Sequence, residues 1–177
     1  MILTPSKREQ VLPLPVVLIS SISKDGIRNV APWSNVTPIL RLLDEVVIAS
    51  WLKRDTLENI RQTGEFVINV PSTEMIEAVK ICSRNYPSHV DEFEEANLSP
   101  YPSAKIETPG IEGCIAWMEC TFSEEILRDK FSLVIGKVVH LEVNDSFVDL
   151  GGAMDLEKAK PLSVILGNQS MRYIYPA

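Results

Sequence analysis

Pro15-Val16-Val17-Leu18-Ile19-Ser20-Ser21-Ile22-Ser23-Lys24-Asp25-Gly26-Ile27-Arg28-Asn29-Val30-Ala31-Pro32-Trp33-Ser34 contains two strands and the turn between them. Residues 16–23 are largely β-branched or apolar, as a strand requires. Asp25-Gly26 is a strong hairpin signal, because a tight turn needs a residue that accepts positive φ. Residues 28–36 then form the returning strand. Pro32 within it has no amide hydrogen, so this strand must lie at an edge, carry a bulge or break its pairing there. A hairpin at this point, where a parallel fold would place a crossover helix, sets the sheet antiparallel.

The pattern continues outward from that hairpin. Residues 45–51 (Glu45-Val46-Val47-Ile48-Ala49-Ser50-Trp51) read as a strand whose Val46-Val47-Ile48-Ala49 run is apolar on both faces, which predicts burial on both sides. A short helix follows over 56–62. Asp55 is its expected cap, Glu58 completes a capping box, and Gly64 sits where the helix would end in a left-handed residue. Residues 65–70 give another strand, and 73–81 have helical spacing through Met75, Ile76 and Val79. Residues 83–109 form a long acidic excursion containing Pro87, Pro100, Pro102 and Pro109. Two long β-rich runs, 115–127 and 131–143, flank a turn at Arg128-Asp129-Lys130; a surface segment at 146–160, a short strand at 162–166 and a tail at 173–175 complete the chain. About seven closely spaced strands with few short helices predict an antiparallel barrel with helical insertions, between all-β and α+β.

Composition narrows the function classes. The chain has 177 residues, 45% hydrophobic and 23% charged, which fits one domain or one domain with a small appendage. A net charge of −7 argues against a general nucleic-acid binder. Cys82, Cys114 and Cys120 have neither disulfide nor zinc spacing with His89 or His140, so a reducing compartment and no metal site are expected. No run approaches the roughly 20 apolar residues of a membrane helix, and residues 1–10 lack a signal peptide's hydrophobic region. A soluble, cytoplasmic protein follows as the expectation.

No P-loop, nucleophile elbow or Gly-rich dinucleotide motif is present, and no pair among the 24 acidic residues stands out as hydrolytic machinery. No catalytic side chain is therefore assigned. What stands out is Lys53-Arg54 directly before the helix start: two cations beside unpaired helix amides and a favourable dipole make an anion site, with phosphate the natural anion. Asp55 there would cap or lend its amide, and Thr56 would offer a hydroxyl and an amide. Upstream, Trp33 offers a flat ring and Ser34 a hydroxyl, and the break at Pro32 leaves neighbouring amides free for a ligand. Ser50-Trp51 lead into the cations. Together these suit a flat, polar-edged ring with a phosphate tail.

The chain resembles the flavin reductase-like family of FMN-binding split barrels, which includes flavoredoxin. The matching elements, in order, are Pro15-Val16-Val17-Leu18-Ile19-Ser20, Asp25-Gly26, Asn29-x-Ala31-Pro32-x-Ser34, Lys53-x-Asp55-Thr56-Leu57-x-Asn59-Ile60, Gly64-Glu65-Phe66-Val67-Ile68-Asn69-Val70, Val90-Asp91-Glu92-Phe93 and Gly136-Lys137-Val138-Val139-His140. The resemblance spans roughly residues 14–143 and implies a single domain with its core there and a C-terminal extension at 144–177, built as a six-stranded antiparallel split β-barrel, usually a homodimer with FMN near the subunit interface. It implies that Val30, Ala31, Pro32, Trp33 and Ser34 line the flavin ring, and that Ser50, Trp51, Lys53, Arg54, Asp55 and Thr56 hold the phosphate end. It also implies that the excursion around Ser88, His89 and Asp91 approaches the flavin. NADH or NADPH would serve as electron donor, with a free flavin, metal complex or redox protein as acceptor. A flavoredoxin-like carrier or a non-catalytic ligand-binding barrel are the alternatives. Trp33 is bulkier than the family's usual residue at its position and bears on access to one flavin face.

Overall fold

The opening hairpin closes on Gly26. In the computed structural model, which describes residues 2–167 and 171–174, a two-residue strand β1 (Leu14–Pro15) leads into β2 (Val17–Ile22), which pairs antiparallel with β3 (Arg28–Trp33). Gly26 has φ +85° and donates its amide to the Ser23 carbonyl at 2.9 Å, a conformation that glycine adopts without steric cost. After β3 the chain bends at Ser34-Asn35 into β4 (Val36–Pro38) and then β5 (Glu45–Trp51). α1 (Asp55–Thr63) ends at Gly64 in the left-handed region, as expected, and β6 (Glu65–Val70) follows. The helix expected at 73–81 is a 3-10 turn, Thr73–Met75, running into α2 (Ile76–Cys82).

The 83–109 excursion is partly ordered into elements. It holds α3 (Glu92–Glu95) and β7 (Pro100–Tyr101), which pairs with β8 (Gly110–Ile111). β9 (Ala116–Leu127) and β10 (Phe131–Val143) form the long hairpin, closed by the Arg128 amide donating to the Phe131 carbonyl at 2.9 Å. α4 (Leu156–Ala159) leads to β11 (Ser163–Leu166), which pairs with both β1 and β12 (Met171–Ile174), so the C-terminal extension returns to the start of the barrel. Tyr173 packs on the core from β12, whereas Tyr175 lies outside the described residues.

The main sheet is fully antiparallel, in the order β3-β2-β6-β9-β10-β5-β4. Six of its strands are six residues or longer, and β4 is a three-residue seventh. The expected split barrel is the architecture found. Its two edge strands, β3 and β4, are consecutive in the chain and separated only by Ser34 and Asn35. From Trp33 to Val36 the chain can reach at most roughly 10 Å, so the sheet must curl until its ends almost meet. Pro32 lies on the edge strand, where a missing donor costs no ladder bond.

Apolar side chains alternate across this curled sheet. Val17 and Ile19 join Val46, Ile48, Phe66, Ile68, Cys120 and Val134 in one cluster, where α1 inserts Leu57 and Ile60. Leu18 and Val67 point the other way, into a second cluster with Val79, Phe93, Ile111 and Trp117. Burying Leu57 and Ile60 is worth roughly 1.5–3 kcal/mol each, enough to fix α1 against the sheet. Gly136 in β10 faces the Phe66 ring, where a Cβ would come within 2.9 Å of Cε1. β5 differs from its expected burial. Val46, Ile48 and Ser50 are buried, but Val47 and Ala49 are only partly covered and Trp51 is 63% exposed. Val47 and Ala49 line a second, mainly apolar groove instead of a packed layer, together with Val17, Val46 and Ile68. No helix among the described residues is long and apolar enough to cross a membrane.

Candidate functional site

A cavity of about 930 Å³ opens at the seam between the two sheet edges. It brings together Ala31, Pro32, Trp33 and Ser34 from β3 and its bend. It also collects Ser50, Trp51, Lys53, Arg54, Asp55 and Thr56 from the β5–α1 connection. Of the residues expected to form a site, Val30 alone does not line it. Its side chain is fully buried in the core, and its amide donates to Glu92 Oε2 at 2.8 Å, so that amide is spent within the protein.

The start of α1 differs from the capping-box expectation. Arg54 is the flanking residue, in extended conformation, and Asp55 is the first helical residue. No side-chain oxygen caps the helix, so its first amides lack an acceptor of the usual kind. Glu58 instead accepts from Gln62 at 2.8 Å. Among the described residues, no carboxylate lies within ion-pair distance of Lys53 or Arg54. An uncapped helix start with two uncommitted cations is an anion-binding arrangement.

Thr56 contributes less than expected. Its hydroxyl donates to Asn29 Oδ1 at 2.8 Å, and the Asn29 amide nitrogen donates to Glu92 Oε2 at 2.5 Å. A carboxylate accepts and does not donate, so the Asn29 amide is turned with nitrogen toward Glu92 and oxygen toward Thr56. The Thr56 hydroxyl hydrogen is thereby used, leaving the Thr56 amide for an anion. Ser50 is similarly spent, its hydroxyl donating to the Trp51 carbonyl at 2.8 Å. Ser21 and Asn59 extend the buried network, with Asn59 Nδ2 donating to Ser21 Oγ at 3.1 Å.

Two donors on the cavity wall have no partner. Trp33 Nε1 and Tyr86 Oη are buried and make no hydrogen bond within the described residues. Buried donors are normally satisfied, so two in one cavity mark places where a ligand's acceptors fit. A planar heterocycle with carbonyl and ring-nitrogen acceptors matches them, and a phosphate matches the helix start.

The excursion approaches the cavity, but through other residues than expected. Ser83, Arg84, Asn85, Tyr86 and Glu92 line it; Ser88, His89 and Asp91 do not. Asp91 caps α3, accepting from Phe93 N at 2.9 Å, and pairs with Arg28 at 2.6 Å. Asn29 and Glu92 both lie within the motifs that carry the family resemblance, so a signal for them existed. Tyr86 had none.

Glu92 is the chemically unusual member. It is 6% exposed, and its carboxyl is pushed up to about 7. Desolvation is the main cause; the charges of Asp55 and Asp91 add to it, and hydrogen bonds from Val30 and Asn29 oppose it. Burial likewise pushes the neighbouring Cys82 thiol up to about 12, so it stays protonated and unreactive. Among the described residues no group of three or more His, Cys, Asp or Glu comes together as a metal site.

The family model for flavin reductase-like domains matches residues 9–155. An uncharacterized protein of Methanothermobacter thermautotrophicus is 48% identical over 98% of this chain and 84% of its own length. The structure of nitrilotriacetate monooxygenase component B from Bacillus cereus superposes with a TM-score of 0.87 at 25% identity, covering 100% of this chain and 96% of that one. Flavoredoxin of Desulfovibrio vulgaris (Miyazaki F) also gives 0.87, at 17% identity over 100% and 95% of the two chains.

The raised Glu92 pKa sets a pH-dependent stability. A carboxyl at 4.5 in the unfolded chain and about 7 in the fold favours folding fully below about pH 4.5, and that contribution is lost as pH rises through 7. Glu92→Gln, which stays neutral, is expected to be more stable than the wild type at about pH 8, by at most about 3 kcal/mol, with the gap shrinking toward about pH 5. Urea unfolding at both pH values checks this, and an equal gap at both contradicts it.

Proposed function

The chain belongs to the flavin reductase-like domain family, and from that membership we propose that its cavity binds FMN and that the protein is an oxidoreductase carrying electrons from NADH or NADPH to a second acceptor. The observation that carries this reading is the polarity of the cavity. One end has an uncapped helix start with the free cations Lys53 and Arg54, and the wall has the unpaired donors Trp33 Nε1 and Tyr86 Oη. A monophosphate at the end of a tail, joined to a flat ring with acceptors at its edge, satisfies both. Bound FMN supplies the two-electron redox chemistry.

The protein's own residues bind and orient. The first-turn amides of α1, Lys53 and Arg54 neutralise the phosphate. Ala31 and Pro32 leave the edge strand flat where a ring would lie, and Trp33 and Tyr86 fix its rotation through donors at its edge. The three thiols are free and buried, in keeping with the reducing cytoplasm where we place the protein.

A homodimer belongs to the same proposal. The second groove, about 650 Å³, shares Leu14, Ser34, Asn35 and Ala49 with the first cavity and is otherwise mainly apolar, through Val36, Val46, Met118 and Leu133. A second copy seated there would cover that apolar surface and border the flavin. Sedimentation equilibrium is expected to give two chains per particle, and a single-chain particle at micromolar concentration contradicts the dimer.

The site is tested by comparing FMN with riboflavin, which lacks the phosphate. Replacing Lys53 and Arg54 together by alanine removes two charge-assisted contacts worth roughly 1.5–3 kcal/mol each. FMN affinity is expected to fall on the order of 100-fold or more, with riboflavin affinity unchanged. Equal losses for both ligands would place the phosphate elsewhere. Anaerobic mixing of the FMN-loaded protein with NADH or NADPH is expected to bleach the flavin absorbance on a catalytic timescale. A flavin that stays oxidised with both donors contradicts the reductase and favours a carrier fed by another protein.

A further inference from the structure

Glu92 is the buried ionisable group of the cavity that the redox chemistry does not use. It reaches the proposed phosphate end through a continuous chain. Its Oε2 accepts from Asn29 Nδ2 at 2.5 Å, and Asn29 Oδ1 accepts from the Thr56 hydroxyl at 2.8 Å, in the first turn of α1. Its other donor is the Val30 amide at 2.8 Å, so both donors are neutral. No described cation lies within ion-pair distance of it.

The charged and titratable neighbours can be named element by element. Arg28 on β3 is committed to Asp91 at 2.6 Å and Glu94 at 3.6 Å, and stacks over Phe93. Asp55 on α1 and Asp91 beside α3 both disfavour the Glu92 anion. Cys82 on α2 stays a neutral thiol. Asp55 is the informative neighbour, because it is the first residue of α1. A charge at that helix start is felt by Glu92, and the phosphate would add a second one at the same end.

We propose that Glu92 is a positioning residue for the FMN phosphate and takes up a proton as that dianion binds at the start of α1. The inference rests on the FMN reading above. Neutral Glu92 still accepts from Asn29 and Val30 through its carbonyl oxygen, so the chain that orients Thr56 survives while the negative charge is removed. Linkage gives the sign. An anion that favours neutral Glu92 binds more weakly once pH has ionised that group, and binding draws a proton from solution. The phosphate's own second ionisation, near pH 6, acts in the opposite sense, because more dianion at higher pH strengthens binding to the cations.

The experiment is a fluorescence titration of the wild-type protein and Glu92→Gln with FMN and with riboflavin at about pH 6.5 and about pH 8.5. Calorimetry in two buffers of different ionisation enthalpy counts the protons. Wild-type FMN affinity is expected to fall about fivefold across this interval, the net of a one-unit rise in the Glu92 pKa and the small opposing gain in phosphate dianion, with fractional proton uptake at neutral pH. Glu92→Gln is expected to hold its affinity or gain slightly toward about pH 8.5, without proton uptake, and riboflavin to show neither effect in the wild type. FMN binding with the same pH profile in both proteins, or without proton uptake by the wild type, overturns the proposal while leaving the FMN site standing. Should Glu92→Gln not fold, the contrast between FMN and riboflavin in the wild type decides alone. No FMN binding at either pH overturns the FMN reading and this inference with it.

Discussion

Two residues hold the two ends of the main sheet together. Ser34 and Asn35 are all that separates edge strand β3 from edge strand β4. A joint of at most roughly 10 Å permits no open, flat sheet, so seven strands must curl into a barrel with one seam. The cavity lies at that seam because backbone pairing stops there: β3 ends at Trp33, and Pro32 has no amide to offer a further strand. The β5–α1 connection arrives at the same place, since β5 pairs with β4 on the far side of the joint. One short bend therefore sets the curl of the sheet, the position of the cavity and the meeting of a ring-sized wall with an anion-binding helix start.

The polar network beneath the cavity is the second constraint. Asn29, Thr56, Ser21, Asn59 and Glu92 are all buried, and each is hydrogen-bonded to another member. They join β2, β3, α1 and α3, the elements that form the floor and one wall. Such a network is worth having only when complete, because an unpaired buried polar group costs about 1–3 kcal/mol. Its completeness fixes which groups remain available to a ligand. The Thr56 and Ser50 hydroxyls and the Val30 amide are used internally, whereas Trp33 Nε1, Tyr86 Oη, Lys53 and Arg54 are not. A protein of net charge −7 thus keeps two cations, Lys53 and Arg54, without a described ion-pair partner at the start of α1.

Much of this was legible in the residues, and the failures have physical causes. Asp25-Gly26 marked the hairpin and Gly64 the end of α1, because both positions demand a backbone conformation few residues tolerate. Pro32 marked the edge strand for the same kind of local reason. The helix cap lies one residue before Asp55, at Arg54: helix boundaries depend on where the chain leaves the extended region, which spacing alone does not determine. The run Val46-Val47-Ile48-Ala49 implies burial on both faces because all four are apolar, but Val47 and Ala49 are only partly covered and line a groove. The 83–109 excursion hid most. Asn29 and Glu92 are 63 residues apart, and no local pattern says that the second will close over the first. Glu92 and the Asn29 motif lie within the segments that carry the family resemblance, but their contact is visible only in the fold.

The central claim is that the seam cavity is a flavin site built for a single phosphate. It is tested most directly by the visible absorbance spectrum of the purified protein after saturation with FMN and removal of free ligand, followed by denaturation and mass identification of what is released. The account predicts bound-flavin bands, shifted from those of free FMN, and release of FMN in one-to-one ratio with the chain. A colourless protein after that treatment would contradict it.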